Sequence, residues 1–113
     1  MNNEATLCAL AESLCAAMAN AMAVAHGKFS ATHMRINVFR DMVYSFGTEN
    51  REFLYCDGVS KADYFKKYNE FSDRFLDRVT AMLMISPEIT NDADTMAGKF
   101  YQIFVTEFKI VST

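Results

Sequence analysis

The histidines and two of the cysteines are the natural metal ligands of this chain, and their spacing does not suit a metal site. His26 and His33 are the only histidines, and they lie seven residues apart on either side of Gly27. Cys8 and Cys15 are also seven residues apart, whereas two ligands on one helix are usually separated by three or four residues. The sequence therefore predicts no metal site and no cofactor.

Cys56 is the cysteine whose neighbours bear most directly on nucleophilic catalysis, and they disfavour it. Asp57 follows it, and an adjacent carboxylate disfavours the reactive thiolate. The four glycines lie far apart, so the chain has no glycine-rich loop that could cradle a phosphate group. Because few groups could act as acid, base or nucleophile, we expect a protein that is not an enzyme.

The composition indicates one globular domain, residues 1–113, with an apolar core. Hydrophobic residues make up 51% of the chain, including ten Phe and five Tyr, while one Pro and four Gly are too few for a many-turned β-sandwich. The net charge is −3 and no segment is strongly basic, which disfavours nucleic acid as a partner. Three cysteines without a Cys-x-x-Cys pair suit a reducing compartment, so we expect a cytoplasmic protein.

The first predicted helix, residues 3–26, also has features of a signal peptide or a membrane anchor. However, residues 1–12 contain Glu4 and Glu12 and lack the basic residues that begin a signal peptide. The charge-free run is 15 residues long, from 13 to 27, and a bilayer span needs roughly 20. We therefore expect no membrane association and a helix buried in a bundle. Its predicted buried face comprises Leu7, Leu10, Leu14, Ala17, Met18, Ala21 and Ala25.

Residues 31–46 and 60–85 both follow the periodicity of a helix. Gly47 is expected to end the first of them, and Ser86-Pro87 to end the second, which begins at the N-cap residue Ser60. The predicted buried face of 31–46 comprises Ile36, Phe39, Val43 and Phe46. That of 60–85 comprises Tyr64, Phe65, Tyr68, Phe71, Phe75, Leu76, Val79, Met82 and Leu83. Its opposite face is charged and includes Glu70 and Arg74, spaced as a solvated i,i+4 pair.

The last predicted helix, residues 92–111, has an apolar face that covers roughly 200° of its circumference. Its polar residues recur every three or four positions, which favours a helix although many of its residues prefer strands. Such a broad face indicates a helix that is central in the bundle or shared with a partner. With a short helix or turn at 48–57, the sequence predicts an all-α, compact bundle of four main helices.

Two charged residues depart from these patterns. Glu107 lies within the apolar face of the last helix, and Arg35 lies on the Phe39 side of the second helix. In one interpretation, Arg35 extends its charge into solvent from a helix end and Glu107 frays near the C-terminus. In the other, the two residues pair with each other, or with charges of a partner, at a half-buried interface.

Apolar residues also occupy positions that ought to be solvated. Met34 and Val38 lie on the outer side of the second helix, with Met42 at its edge, and Met84 and Ile85 lie on the charged side of the third. They pack against another segment of the bundle, or they form a hydrophobic docking patch. Methionine is frequent here, with eight residues, and it suits adaptable contact surfaces.

These features lead to two hypotheses about function. The first is a non-enzymatic interaction module (an adaptor, a chaperone, or a modulator or inhibitor of a larger assembly) whose partner is another protein. It includes a homodimer formed through the 92–111 helix. The second is a helical bundle that binds an apolar small molecule in a pocket of aromatic and Met side chains. The predicted partner-binding residues are Met34, Arg35, Val38, Met42, Met84, Ile85 and Glu107.

Overall fold

The computed structural model of the chain describes residues 3–24, 32–50 and 60–112, and the statements below concern these residues. They form the helices α1 (Asn3–Val24), α2 (Thr32–Glu49), α3 (Lys61–Ile85) and α4 (Ala93–Ser112), and a short 3₁₀ helix, Pro87–Asn91, joins α3 to α4. The predicted all-α bundle of four main helices is confirmed. Of the short helix or turn predicted at 48–57, residues 48 and 49 belong to α2, and 51–57 lie outside the described residues.

The four helices pack as a ring in which each contacts two neighbours. α1 packs against α2 and α4, and α3 packs against the same two helices, so α2 and α4 lie diagonally opposite each other. Their side chains nevertheless meet in the interior, where the ring centroids of Phe39 and Phe100 are 6.0 Å apart and those of Phe46 and Phe104 are 5.8 Å apart. This is the packing of a four-helix bundle with a core made of inward-facing aromatic rings.

The buried face of α1 is rotated from the predicted one. Ala17 is exposed, so its predicted burial is wrong, whereas Ala11, Cys15 and Ala19 are buried although the pattern did not select them. The reason is that α1 is apolar or small-sided almost all round, and such a helix gives little contrast between faces. Leu14 and Met18 are buried as predicted.

α1 also meets the length and composition of a membrane span. The segment Ala5–Ala23 has a mean hydropathy of 1.4 and includes Glu12 as its charged residue. One third of the segment is buried inside the bundle, and the core helix of a soluble protein satisfies the same two criteria. Length and hydropathy therefore do not distinguish a core helix from a membrane span here.

Gly47 lies inside α2 against Tyr68 of α3, so the prediction that it ends the helix is wrong. The helix continues to Glu49, and a Cβ atom on Gly47 would overlap the ring of Tyr68. The Tyr64 hydroxyl donates a hydrogen bond to the carbonyl of Gly47 at 2.9 Å, and the Tyr68 hydroxyl donates one to the carbonyl of Val43. The glycine is needed because it lets the tyrosine rings reach the α2 backbone.

The caps of α3 and α4 follow from their first residues. The Ser60 hydroxyl accepts a hydrogen bond from the backbone N–H of Asp63 at 3.1 Å, which confirms it as the N-cap of α3. Asp92 begins α4 in the same way, and its carboxylate accepts from the backbone N–H groups of Asp94 and Thr95. Its hydrogen bonds from Thr95, through the side chain first and the backbone second, lower the pKa of Asp92. Both predicted helix starts therefore agree with the structure to within one residue.

Phe104 on α4 is at the centre of the aromatic core. Its ring contacts Phe71 and Phe75 of α3 at centroid distances of 4.8 and 5.5 Å, both edge to face. It also contacts Phe46 of α2 and, within α4, stacks on Phe108. Edge-to-face aromatic pairs contribute about 0.5–1.5 kcal/mol beyond the burial of their area. The position of Phe104 therefore fixes how α4 sits against α3.

We predict that Gly47→Ala and Gly98→Ala have opposite effects on stability. Alanine favours a helix over glycine by about 1 kcal/mol, and Gly98 has open space around its added Cβ, so Gly98→Ala should raise the free energy of unfolding. Gly47→Ala should lower it by about 1–3 kcal/mol, because the new methyl group must displace the Tyr68 ring. Urea denaturation of both variants measures this, and an equal gain for both would contradict the packing of α2 on α3.

Candidate functional site

The structure describes five of the seven predicted partner-binding side chains. Those of Met34 and Arg35 lie outside the described residues. Val38 is 47% exposed on α2, whereas Met42 is half-buried and packs against the core. Met42 thus has a structural role inside the bundle, and Val38 keeps the exposure that a docking residue needs.

Met84 and Ile85 form the most exposed apolar pair among the described residues. They are 74% and 81% exposed and end α3, just before the 3₁₀ helix. Arg78, Met82 and Ile85 follow one another at spacings of four and three, so they lie on one side of α3. Met84 points away from that side, because it is two residues from Met82 on a helix of 3.6 residues per turn.

Glu107 is buried at the centre of the inward face of α4. It is 4% exposed and lies three residues after Phe104, itself at the middle of the core. Nη2 of Arg74 on α3 donates a hydrogen bond to Oε2 of Glu107 at 3.3 Å. The interpretation of a frayed, exposed Glu107 is therefore wrong. Among the described residues, Arg74 is its ion-pair partner. Pairing of Glu107 with Arg35 remains a prediction.

The sequence predicts Arg74 on the solvated face of α3, at the spacing that pairs it with Glu70. Among the described residues, its ion pair is with Glu107, across the boundary between α3 and α4. The Arg74 side chain is 43% exposed and the Glu107 side chain 5%, so the pair joins a buried carboxylate to a cation that still contacts water. The pairing depends on the relative register of two helices, which one sequence does not provide.

A surface groove lies beside this ion pair, between α3 and α4. Its volume is about 180 Å³, and Glu107 forms part of its wall. Met82 and Ile103 are half-buried and also pack against the core, so they supply its apolar floor. The remaining lining residues are exposed and polar or charged: Arg78, Lys99, Gln102 and Thr106.

The buried thiol of Cys15 is a poor candidate for a nucleophile. Burial, followed by the charge of Glu12, raises the pKa of Cys15 from 9.0 to about 12, so its thiol is protonated at neutral pH. Cys8 is half-buried, and a side-chain hydrogen bond with it raises the pKa of Tyr101 to about 12. No group of three or more metal-ligating side chains occurs within residues 3–24, 32–50 and 60–112.

We predict that Arg74→Met lowers the free energy of unfolding by about 1–3 kcal/mol, because Glu107 then keeps a buried charge without its partner. Glu107→Gln should cost less, since Arg74 can be hydrated. Arg78→Met, on the same helix and with no ion pair to a described residue, is the control and should change stability by about 0.5 kcal/mol or less. Strictly additive losses in the Arg74→Met/Glu107→Gln double variant would contradict the pair.

We also predict that Cys15 makes stability depend on alkaline pH. Between pH 9 and 12 the thiol ionises in the unfolded chain but not in the folded one, so the free energy of unfolding falls over that range. By pH 10 this loss should reach about 1 kcal/mol relative to Cys15→Ala, which lacks the thiol. Denaturation of both proteins at pH 8 and pH 10 measures it, and a constant difference between them would show that the thiol is not buried.

The candidate site is the α3–α4 surface, defined as the groove together with Ile85 and, on the adjoining side of α3, Met84. Ile85, Met84 and Glu107 were predicted from the sequence to bind a partner. Arg78 and Lys99 were not predicted, because a charged residue on a helix has the same sequence pattern whether it borders solvent or a groove. No family model matches the chain, and no curated protein or solved structure matches it either.

Proposed function

We propose that the protein is a small, non-enzymatic interaction module that docks to another protein through the α3–α4 surface. Such a module would act as an adaptor, a chaperone, or a modulator or inhibitor of a larger assembly. The observation that carries the proposal is the 81% exposure of Ile85 on the side of α3 that carries the groove residues, with Met84, 74% exposed, next to it.

The energetics of burial support this assignment. Fully burying a Met or Ile side chain stabilises a protein by about 1.5–3 kcal/mol relative to leaving it exposed. A single exposed apolar residue is ordinary, but Ile85 lies on the side of α3 that also carries Met82 on the groove floor. A partner that covers this surface would bury apolar area on both helices at once.

α4 favours a different protein over a second copy as the partner. Its broad apolar face is used within the bundle, because α4 packs against α1 and α3 and its Phe100 and Phe104 rings meet those of α2. Its outward side carries exposed polar residues such as Lys99, Gln102 and Thr106. A homodimer through α4 would rely on the exposed apolar residues Val105 and Ile110, which are 38% and 50% exposed against 74% and 81% for Met84 and Ile85, so it is the less favourable assembly.

The aromatic residues do not favour the alternative function of binding an apolar small molecule. Phe71, Phe75, Phe104 and Phe108 contact one another at ring-centroid distances between 4.8 and 5.8 Å. These rings pack on one another in the core, so their surfaces are not available to line a ligand pocket. The groove is open and largely polar-walled, which suits a protein surface better than an apolar ligand.

The proposal places the protein in the cytoplasm. Cys8 and Cys15 are free thiols, as a reducing compartment maintains them. α1 contributes Leu14, Met18 and Met22 to the core. If α1 were embedded in a membrane, these side chains would no longer pack in the core. Cell fractionation of the native protein checks this part of the proposal directly.

We predict that a photo-crosslinking amino acid at position 85 captures a discrete protein in the native host. Position 69, an exposed Asn on α3 and outside the groove, is the matched control and should give no such product. Mass spectrometry of the product identifies the partner, and the purified pair should re-form the crosslink. Absence of a product specific to position 85, or crosslinking of the chain only to itself, would contradict the proposal. A reproducible small-molecule mass on the purified protein, with no crosslink, would favour the alternative.

A further inference from the structure

The groove has an excess of positive charge in a chain whose net charge is −3. Arg74 and Glu107 compensate each other through their ion pair. Arg78 and Lys99 are exposed at the groove wall, and neither forms an ion pair with a described residue. Two uncompensated cations therefore flank an apolar floor, one on each helix.

The size of the groove limits what it can hold. Sites for cofactors and drug-sized ligands usually enclose about 300–1,000 Å³. The groove here measures about 180 Å³ and is open to solvent. A groove of this size accommodates one side chain of a partner protein. The neighbouring residues of that partner would lie over the rim of the groove.

Glu107 adds a requirement for a hydrogen-bond donor. Its Oε2 accepts a bond from Arg74, whereas Oε1 accepts none from the described residues, although the side chain is only 5% exposed. A buried carboxylate oxygen without a donor costs free energy, and the groove is the direction from which a ligand can reach it. A simple anion offers no donor, while a peptide offers both carboxylates and backbone N–H groups.

From these observations we infer that the groove binds an acidic peptide segment of a partner protein. One apolar side chain of the segment lies on Met82 and Ile103, and carboxylates on either side of it pair with Arg78 and Lys99. A backbone N–H of the segment donates to Glu107. This inference rests on the proposed function and specifies the chemistry of the partner.

The test selects peptides from a random 12-residue phage-displayed library on the purified protein. Enriched peptides should carry Asp or Glu on both sides of an apolar residue, and their affinity should fall as salt concentration rises. Arg78→Glu/Lys99→Glu should weaken binding of these synthetic peptides by about tenfold or more. Arg40→Glu/Lys66→Glu makes the same change in charge at exposed positions outside the groove, and it should weaken binding by much less.

Circular dichroism and urea denaturation establish that both double variants fold. If Arg78→Glu/Lys99→Glu does not fold, the neutral Arg78→Gln/Lys99→Gln variant replaces it, with a smaller loss of affinity expected. Amide chemical shifts locate the bound peptide, and we expect changes at Lys99, Ile103 and Thr106.

The inference would be overturned if the selection enriched no acidic peptides. It would also be overturned if the groove and control variants lost the same affinity for the selected peptides. The partner crosslinked from position 85 separates this failure from that of the proposed function. If that partner binds Arg78→Glu/Lys99→Glu as tightly as the unaltered protein, the acidic segment is wrong and the interaction module stands. If position 85 captures no partner, the proposed function itself fails.

Discussion

The contact of the Phe104 ring with Phe71 and Phe75 is the interaction on which the rest of the described structure depends. These edge-to-face contacts set the register of α4 along α3, and a shift by one residue would turn Phe104 away from both rings. The same register brings Glu107, three residues later, to Arg74. It also opens the groove one turn further along, between Arg78 and Met82 of α3 and Lys99 and Ile103 of α4. The core and the candidate site are therefore products of one packing arrangement.

The helices themselves could be read from the sequence because their signals are local. Ser60 and Pro87 bound α3, and the alternation of aromatic and charged residues between them identifies its buried face. Two residues, Gly47 and Ala17, were compatible with more than one structural position. Gly47 looked like a helix end but provides the close approach of Tyr68, and Ala17 belongs to a helix whose small and apolar side chains surround it. Glycine and alanine permit several environments, and only the neighbouring helix decides among them.

The candidate site was harder to predict, because it consists of relations between helices. Glu107, Met84 and Ile85 are exceptions to their helical patterns, and such exceptions are visible in a single sequence. Arg78 and Lys99 are not exceptions, since charged residues belong on an outer face. Their importance arises from lying on opposite sides of one apolar floor without an ion-pair partner in the described part of the chain. The register of α4 along α3 brings these two residues to the same groove. One sequence does not encode that register locally.

We propose that this bundle meets another protein at the α3–α4 surface. Hydrogen–deuterium exchange of the protein with and without its isolated partner tests that claim most directly, because exchange reports every backbone amide without altering a side chain. The account predicts added protection in two segments, 78–85 of α3 and 99–107 of α4, with α1 and α2 unchanged. Protection confined to α1 or α2, with these two segments unaffected, would contradict it.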